Sequence, residues 1–290
     1  MKMIQHLLLY GMLLSSCASA QMNEKPEVLL SEQNIENAYP RLSNDGKSVL
    51  YQSNKDGRWQ LYILDVNTKK SEQLTKGEHN NNFPDWDATN DWIAFVSDKD
   101  GNEEIYIMKK DGSGLKRLTN DPERDIHPYF SPDGKYLLFN STRGNGSLDI
   151  YRISLTDNKT ERITDTKENE TCARYSPDMM QIVFLRNDDM SDDIFIMDMA
   201  KGLNKNITND PSVRDGWPMF SNDGNWVYYS SMQDGPYNIF KVRSDGTGKQ
   251  RLTKAAAGEE DARAYVANDG KSIIYNKKYG RTIDILRVTI

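Results

Sequence analysis

Cysteine and histidine are scarce in this chain of 290 residues, which has two of the first and three of the second. A disulfide framework is excluded: with Cys17 removed or acylated, Cys172 stands alone, and a lone strand cysteine is most often a small buried apolar residue. His6 lies in the N-terminal segment, so His79 and His127 are the histidines left for chemistry, too few for a histidine-rich metal site. An excess of basic charge is also missing. The 37 Lys and Arg against 43 Asp and Glu leave a net charge of −6, which argues against a nucleic-acid role because phosphate binding needs a basic face. The apolar run Ile4 to Leu14 is too short to span a bilayer comfortably, and no second candidate follows. No Gly-, Pro- or Ser-rich linker and no low-complexity stretch divides the chain. One domain is therefore expected where the length would allow one or two.

The first twenty residues read as a targeting segment, with Lys2 ahead of the apolar core. Two processing routes fit. Leu14-Ser15-Ser16-Cys17 resembles a bacterial lipobox, which would leave Cys17 as a lipidated N-terminus. Ala18-Ser19-Ala20 fits cleavage before Gln21, which would release a soluble protein. The apolar core ends directly at the first motif, which favours lipidation. Both routes export the propeller domain, residues 21–290.

What the chain has in abundance is repetition. Leu74-Thr75, Leu118-Thr119, Ile163-Thr164, Ile207-Thr208 and Leu252-Thr253 recur with the threonines 44, 45, 44 and 45 residues apart. A period of about 45 residues built from short alternating strands indicates a β-propeller with one four-stranded blade per repeat. In the third copy, His127–Phe130 is extended and Ser131-Pro132-Asp133-Gly134 turns the chain. Tyr136–Phe139 is an apolar strand, Asp149–Ile153 alternates as a half-buried strand does, and Glu161–Thr164 is the outer strand. The turn glycine recurs at Gly46, Gly224 and Gly270. Asn90 replaces it in the second copy, and Met179 in the fourth predicts a differently shaped turn there. The sixth copy stops at Ile290 after its third strand. Glu27-Val28-Leu29-Leu30-Ser31 reads as the missing fourth, because Ser31 precedes Pro40 by nine residues as Thr75 precedes Pro84 and Thr119 precedes Pro128. The expectation is an all-β, six-bladed propeller whose last blade is completed by the N-terminal strand, so that no long sheet edge stays unpaired.

The runs Phe130-Ser131-Pro132-Asp133-Gly134-Lys135, Asp149-Ile150-Tyr151 and Arg162-Ile163-Thr164 resemble the TolB-like propeller repeat. Asp111-Gly112-Ser113-Gly114-Leu115-Lys116-Arg117-Leu118-Thr119 matches its second half more closely still. The resemblance extends over about residues 26–290. That repeat occurs in periplasmic Tol-system proteins, in propellers attached to peptidases and in some carbohydrate-active lyases. Typical TolB carries an α/β domain before its propeller, and too few residues precede the first blade here to hold one. The resemblance therefore implies a stand-alone TolB-like propeller.

Aligning the copies on Pro40, Pro84, Pro128, Ala173, Pro218 and Ala264 exposes two columns at the starts of the innermost strands, where one mouth of the channel should lie. Three residues upstream stand Asn37, Asn81, Asp125, Glu170, Asp215 and Asp261. Converging carboxylates of this kind can hold Ca²⁺ or another hard cation, or receive Lys and Arg from a partner; equally, each can cap a turn or bond backbone amides. Four like charges facing one space should repel unless a cation, water or a base sits among them. One residue upstream stand Tyr39, Phe83, His127, Cys172, Trp217 and Arg263. Tyr39, Phe83 and Trp217 offer a platform for a sugar ring or a peptide side chain, and Arg263 and His127 can orient an anion; blade-to-blade packing is the alternative. Asp98–Glu104 looks like part of a calcium loop, but its twelfth position is Lys109 rather than a bidentate Glu. Gly112-Ser113-Gly114 lacks the strand–turn–helix setting of a nucleophile elbow.

The resemblance and these columns together lead to an exported protein of the cell envelope. It would sit in the periplasm or be anchored at the outer membrane through Cys17, binding a protein or peptide at the channel mouth. A carbohydrate-binding or polysaccharide-degrading propeller is the alternative. It would need a base near pH 7, for which His127 is the one placed histidine. A third reading is a component that works only within an assembly. No catalytic group is evident, and no cofactor is implied beyond the cation raised above.

Overall fold

The computed structural model describes residues 25–187 and 191–290; the targeting segment and Cys17 lie outside the described residues. Six four-stranded antiparallel sheets follow one another along the chain. Blade 1 shows the pattern: Asn37–Leu42 innermost, then Ser48–Ser53, Gln60–Asp65 and the short outer strand Ser71–Gln73. Blade 6 consists of Glu259–Val266, Ser272–Tyr279 and Thr282–Thr289, with Glu27–Leu30 as its outer strand. Glu27 lies opposite Arg287 and Val28 opposite Leu286. The closure expected from the spacing of Ser31 is thus the closure that forms.

Each blade buries its faces against the next. Leu29, Leu42, Tyr51 and Leu64 pack with Ala267, Ile274 and Ile285 where the first and last blades meet. Corresponding clusters occupy the other five junctions. Bulk at the centre of the blades comes from aromatic pairs directly opposite on the second and third strands. Tyr51–Tyr62, Phe95–Tyr106, Phe139–Tyr151, Phe184–Phe195 and Tyr229–Phe240 have centroids 5.5–5.9 Å apart, cross-strand pairs of the kind that stabilise sheets. Blade 6 has Tyr275 against Leu286 there.

The recurrent threonine has a structural task. Its hydroxyl accepts the backbone N–H of the third strand: Leu61 to Thr75 at 2.8 Å, Ile105 to Thr119 at 2.9 Å, Ile150 to Thr164 at 2.9 Å, Ile194 to Thr208 at 3.0 Å and Ile239 to Thr253 at 2.9 Å. The side chain continues the ladder as the outer strand leaves the sheet. The preceding Leu or Ile reaches the junction with the next blade. In blade 6 the Ser31 hydroxyl bonds the Asp284 carboxyl instead.

The turn after the innermost strand is repeated in detail. In blade 3 Ser131 Oγ bonds Asp133 at 2.7 Å and accepts the Tyr136 N–H at 2.9 Å, while Gly134 at φ 68° donates to the Ser131 carbonyl. Met179 does not reshape the turn of blade 4, contrary to the expectation from sequence. It takes φ 60°, and its N–H bonds the Ser176 carbonyl at 2.9 Å as Gly134 bonds Ser131. The left-handed conformation costs a non-glycine residue about 1–2 kcal/mol. Packing of the Met179 side chain against the cluster between blades 3 and 4 offsets it.

Candidate functional site

Every innermost strand carries a bulge at the same place. The ladder shifts between Ala38 and Arg41, Asn82 and Asp85, Ile126 and Tyr129, Thr171 and Arg174, Gly216 and Met219, and Ala262 and Tyr265. The residue inside each shift is left-handed: Tyr39, Phe83, His127, Cys172, Trp217 and Arg263 have φ between 50° and 57°. Six strained non-glycine residues at one level of one ring must be held by their surroundings. Side chains of the preceding blade hold four of them. Asn276, Gln52, Asn140 and Ser230 accept the N–H groups of Tyr39, Phe83, Cys172 and Arg263 at 2.7–3.1 Å.

The bulge brings two residues of each strand to the channel, the left-handed one and the one two places on. In the upper layer Tyr39 meets Phe83 edge-on at 4.9 Å, and Phe83 meets His127 at 4.3 Å. Arg263 lies over Tyr39 at 4.8 Å and over Trp217 at 4.3 Å, cation–π distances. Trp217 in turn meets Tyr237 at 5.4 Å. Cys172 is buried and lines a small gap of about 10 Å³ with Tyr39, Trp217 and Arg263. Tyr39 and Phe83 thus meet directly, and Trp217 is joined to them through the guanidinium of Arg263. Burial, reinforced by the charge of Arg124, pulls the His127 pKa down to about 3, so the ring is neutral at pH 7.

The first column sits deeper, within the blades. Asn37, Asn81, Asp125, Glu170, Asp215 and Asp261 are all buried. Asp125 pairs with Arg143 at 2.5 Å, Glu170 with Arg186 at 2.5 Å and Asp261 with Lys277 at 2.9 Å, each base belonging to the same blade. Asn81 donates to Gln60 at 2.9 Å. Asp215 bonds the hydroxyls of Ser231 and Thr208, and burial raises its pKa to about 6. The repulsion anticipated among the four acids is relieved mainly by the chain's own bases. Among the described residues no three His, Cys, Asp or Glu side chains are grouped to hold a metal ion.

The lower layer was not singled out in the sequence, although it is the neighbouring column of the same alignment: Arg41, Asp85, Tyr129, Arg174, Met219 and Tyr265. Arg41 Nε bonds Asp85 at 3.2 Å, and the other Asp85 oxygen accepts the Phe130 N–H at 3.0 Å. The Arg41 guanidinium lies 5.4 Å from the Tyr129 ring centre and that of Arg174 4.1 Å from it. Burial pushes the Tyr129 hydroxyl up to about 12. Beyond this layer the channel opens into a cup of about 320 Å³ at the mouth formed by the strand ends and the Ser-Pro-Asp-Gly turns.

Comparison with known proteins places these features in a family. The family described as TolB beta propeller domain matches residues 24–191 and 163–290. An uncharacterized protein of Agrobacterium fabrum is 32% identical over 185 residues, 48% of this chain and 61% of that protein. The Tol-Pal system protein TolB of Francisella tularensis is 29% identical over 157 residues, 53% of this chain and 35% of that protein. The chain thus spans less than two thirds of the length of these relatives. The crystal structure of TolB from Acinetobacter baumannii superimposes with a TM-score of 0.62 at 21% identity, over 87% of this chain and 63% of that one, a likeness of fold.

Proposed function

Because the chain belongs to the TolB β-propeller domain family, we propose that it is a Tol-system-like protein of the cell envelope, exported to the periplasm, that binds a protein or peptide partner at its channel. The observation that carries this reading is the cluster of Tyr39, Phe83, Trp217 and Arg263 at the channel, held by six strained bulges. Strain kept at one level around a ring is the mark of a pre-organised site, and aromatic residues with arginine are the usual anchors of protein interfaces. Arg263 Nε is buried without a hydrogen-bond partner, a donor that a bound chain would satisfy. Lipidation at Cys17 would tether the protein to a membrane, stably if the terminus carries more than one acyl chain.

The carbohydrate-degrading alternative is disfavoured by His127. A ring with a pKa of about 3 is a weak base at pH 7. The test of binding is an affinity capture from envelope extract with the wild type beside a Trp217→Ala, Arg263→Ala variant. One dominant protein retained by the wild type and lost by the variant is the expected result. Equal capture by both would refute the channel as the docking site. Mass spectrometry of the mature N-terminus settles whether Cys17 carries lipid.

A further inference from the structure

We propose that the cup at the opposite mouth, where the innermost strands end, is a binding site for the carboxylate of a peptide chain end, with Arg174 as its anchor. This rests on the cup's own geometry and not on the docking proposed for the upper layer, although Arg174 also borders the gap lined by Tyr39, Trp217 and Arg263.

The argument starts from charge. Two guanidinium groups, Arg41 and Arg174, share the lower layer with one carboxylate, Asp85. Asp85 is fully engaged, by Arg41 Nε on one oxygen and the Phe130 N–H on the other. Arg41 is also satisfied, by Asp85, the Pro40 carbonyl at 3.0 Å and the Tyr129 hydroxyl at 3.4 Å. Arg174 is not. Its guanidinium lies over Tyr129, 4.1 Å from the ring centre, and 5.8 Å from the Tyr265 ring centre. It bonds the Tyr129 hydroxyl, and among the described residues no carboxylate is paired with it. A guanidinium has five donors in a planar fork that matches a carboxylate; Asp85 acts on the half-buried Arg174 only at a distance, with both its oxygens bonded elsewhere, so the fork itself holds no carboxylate.

The surroundings select the ligand. The other acid lining the cup, Asp87, is occupied by its own turn: one oxygen accepts the N–H groups of Asp91 and Trp92 at 2.9 Å, the other the Thr89 hydroxyl at 2.6 Å. Asp85 and Asp87 would repel a doubly charged phosphate, whereas a singly charged carboxylate on Arg174 completes the charge balance of the layer. Pro132, Pro177, Met219 and Phe220 give apolar wall, and Asn222 and Asn268 stand among them with polar groups. An apolar wall with a few polar groups and one fork at the base suits a short peptide terminus better than a heavily hydroxylated sugar acid.

Calorimetric titration of the purified protein at pH 7 and low salt tests this with three probes: N-acetyl-trialanine with a free carboxylate, the same peptide as its C-terminal amide, and glucuronate. The free carboxylate is expected to bind, with the amide and the Arg174→Gln variant each weaker by about tenfold or more, as loss of a charge-assisted fork implies. Arg174→Lys, which keeps the charge and loses the fork, should fall between. If Arg174→Gln melts abnormally, Ala88→Trp replaces it, since Ala88 lines the cup from an exposed position and a large ring there should obstruct entry. Tighter binding of glucuronate with the same dependence on Arg174 would overturn the peptide assignment. Absence of binding, or binding unchanged in both Arg174→Gln and Ala88→Trp, would overturn the site. Neither result bears on capture of a partner through Trp217 and Arg263.

Discussion

Two ionisable residues near the channel, the half-buried His127 and the buried Asp215, respond to pH in opposite senses. The folded-state pKa of His127 is depressed to about 3 by burial, so between there and its ordinary value of 6.5 the unfolded chain takes up a proton that the folded one refuses. The stability it contributes is present above pH 6.5 and is lost as the pH falls toward 3. Replacing His127 with Gln should flatten the fall in melting temperature between pH 6.5 and 4.5. Asp215 is raised to about 6, again by burial. Its contribution is full below pH 3.8 and is lost as the pH rises through 6. Asp215→Asn should therefore gain on the wild type as the pH rises, on the order of 1–3 kcal/mol between pH 3.5 and pH 7.5. Melting curves at both pH values check this, and a variant no better at pH 7.5 than at pH 3.5 would show that the charged carboxylate is not penalised in the fold. The repeated threonine gives a third expectation. Thr119→Val leaves the buried Ile105 N–H without an acceptor and removes the donor to Glu104 Oε2, while Arg117 and the Asp121 N–H stay on Oε1, and should cost about 1–3 kcal/mol in a denaturant titration.

The element that matters most is the shortest in proportion to its task, the N-terminal strand Glu27–Leu30. Its polar contacts are conspicuous: Glu27 pairs with Lys69 of blade 1 at 2.7 Å and Arg287 of blade 6 at 2.6 Å. They lie at the surface, where such pairs contribute about 1 kcal/mol or less. Leu29, 2% exposed, is the weightier residue, since it fills the junction of the first and last blades beside Tyr51 and Ile285. Leu29→Ala should cost about 2–5 kcal/mol, and Glu27→Gln under about 1 kcal/mol. Comparable losses in the two variants would show that the latch is electrostatic. Strand order, this closure and the turns that carry Gly or Asn were legible in the sequence, because each depends on local residues at fixed offsets. The turn at Met179 was misread for the converse reason. The chain there obeys the repeat, and tertiary packing of the methionine allows a conformation that its own backbone preference opposes.

A ring in which each blade is buried only by its neighbours should unfold as a unit. Deleting residues 24–32 removes the outer strand of blade 6 and uncovers the junction with blade 1. The expected result is a lower melting temperature for tryptophan fluorescence and circular dichroism alike, with the two transitions coincident. Loss of signal confined to one probe would mean that the blades melt separately. The ring also explains why the two columns of site residues met different fates. Both were visible as recurrences, yet recurrence does not say which way a side chain points. The bulge decides that, by turning Tyr39 and its counterparts into the channel while Asp125, Glu170 and Asp261 stay within their blades beside their own bases.

The period of the threonines, the Ser-Pro-Asp-Gly turns and the placement of Ser31 determined by themselves that this chain is a six-bladed propeller closed by its N-terminal strand. Each is a short-range rule of backbone chemistry repeated often enough to leave one architecture. Tertiary structure alone decided how charges are matched within and across blades. Arg143, Arg186 and Lys277 neutralise their acids, and Asp85 is given to Arg41, which leaves Arg174 facing an open cup. The first pairings join residues 16 or 18 positions apart on one blade, whereas Arg41 and Asp85 lie 44 apart on neighbouring blades, a pair that becomes visible only once the ring has closed and brought the innermost strands together.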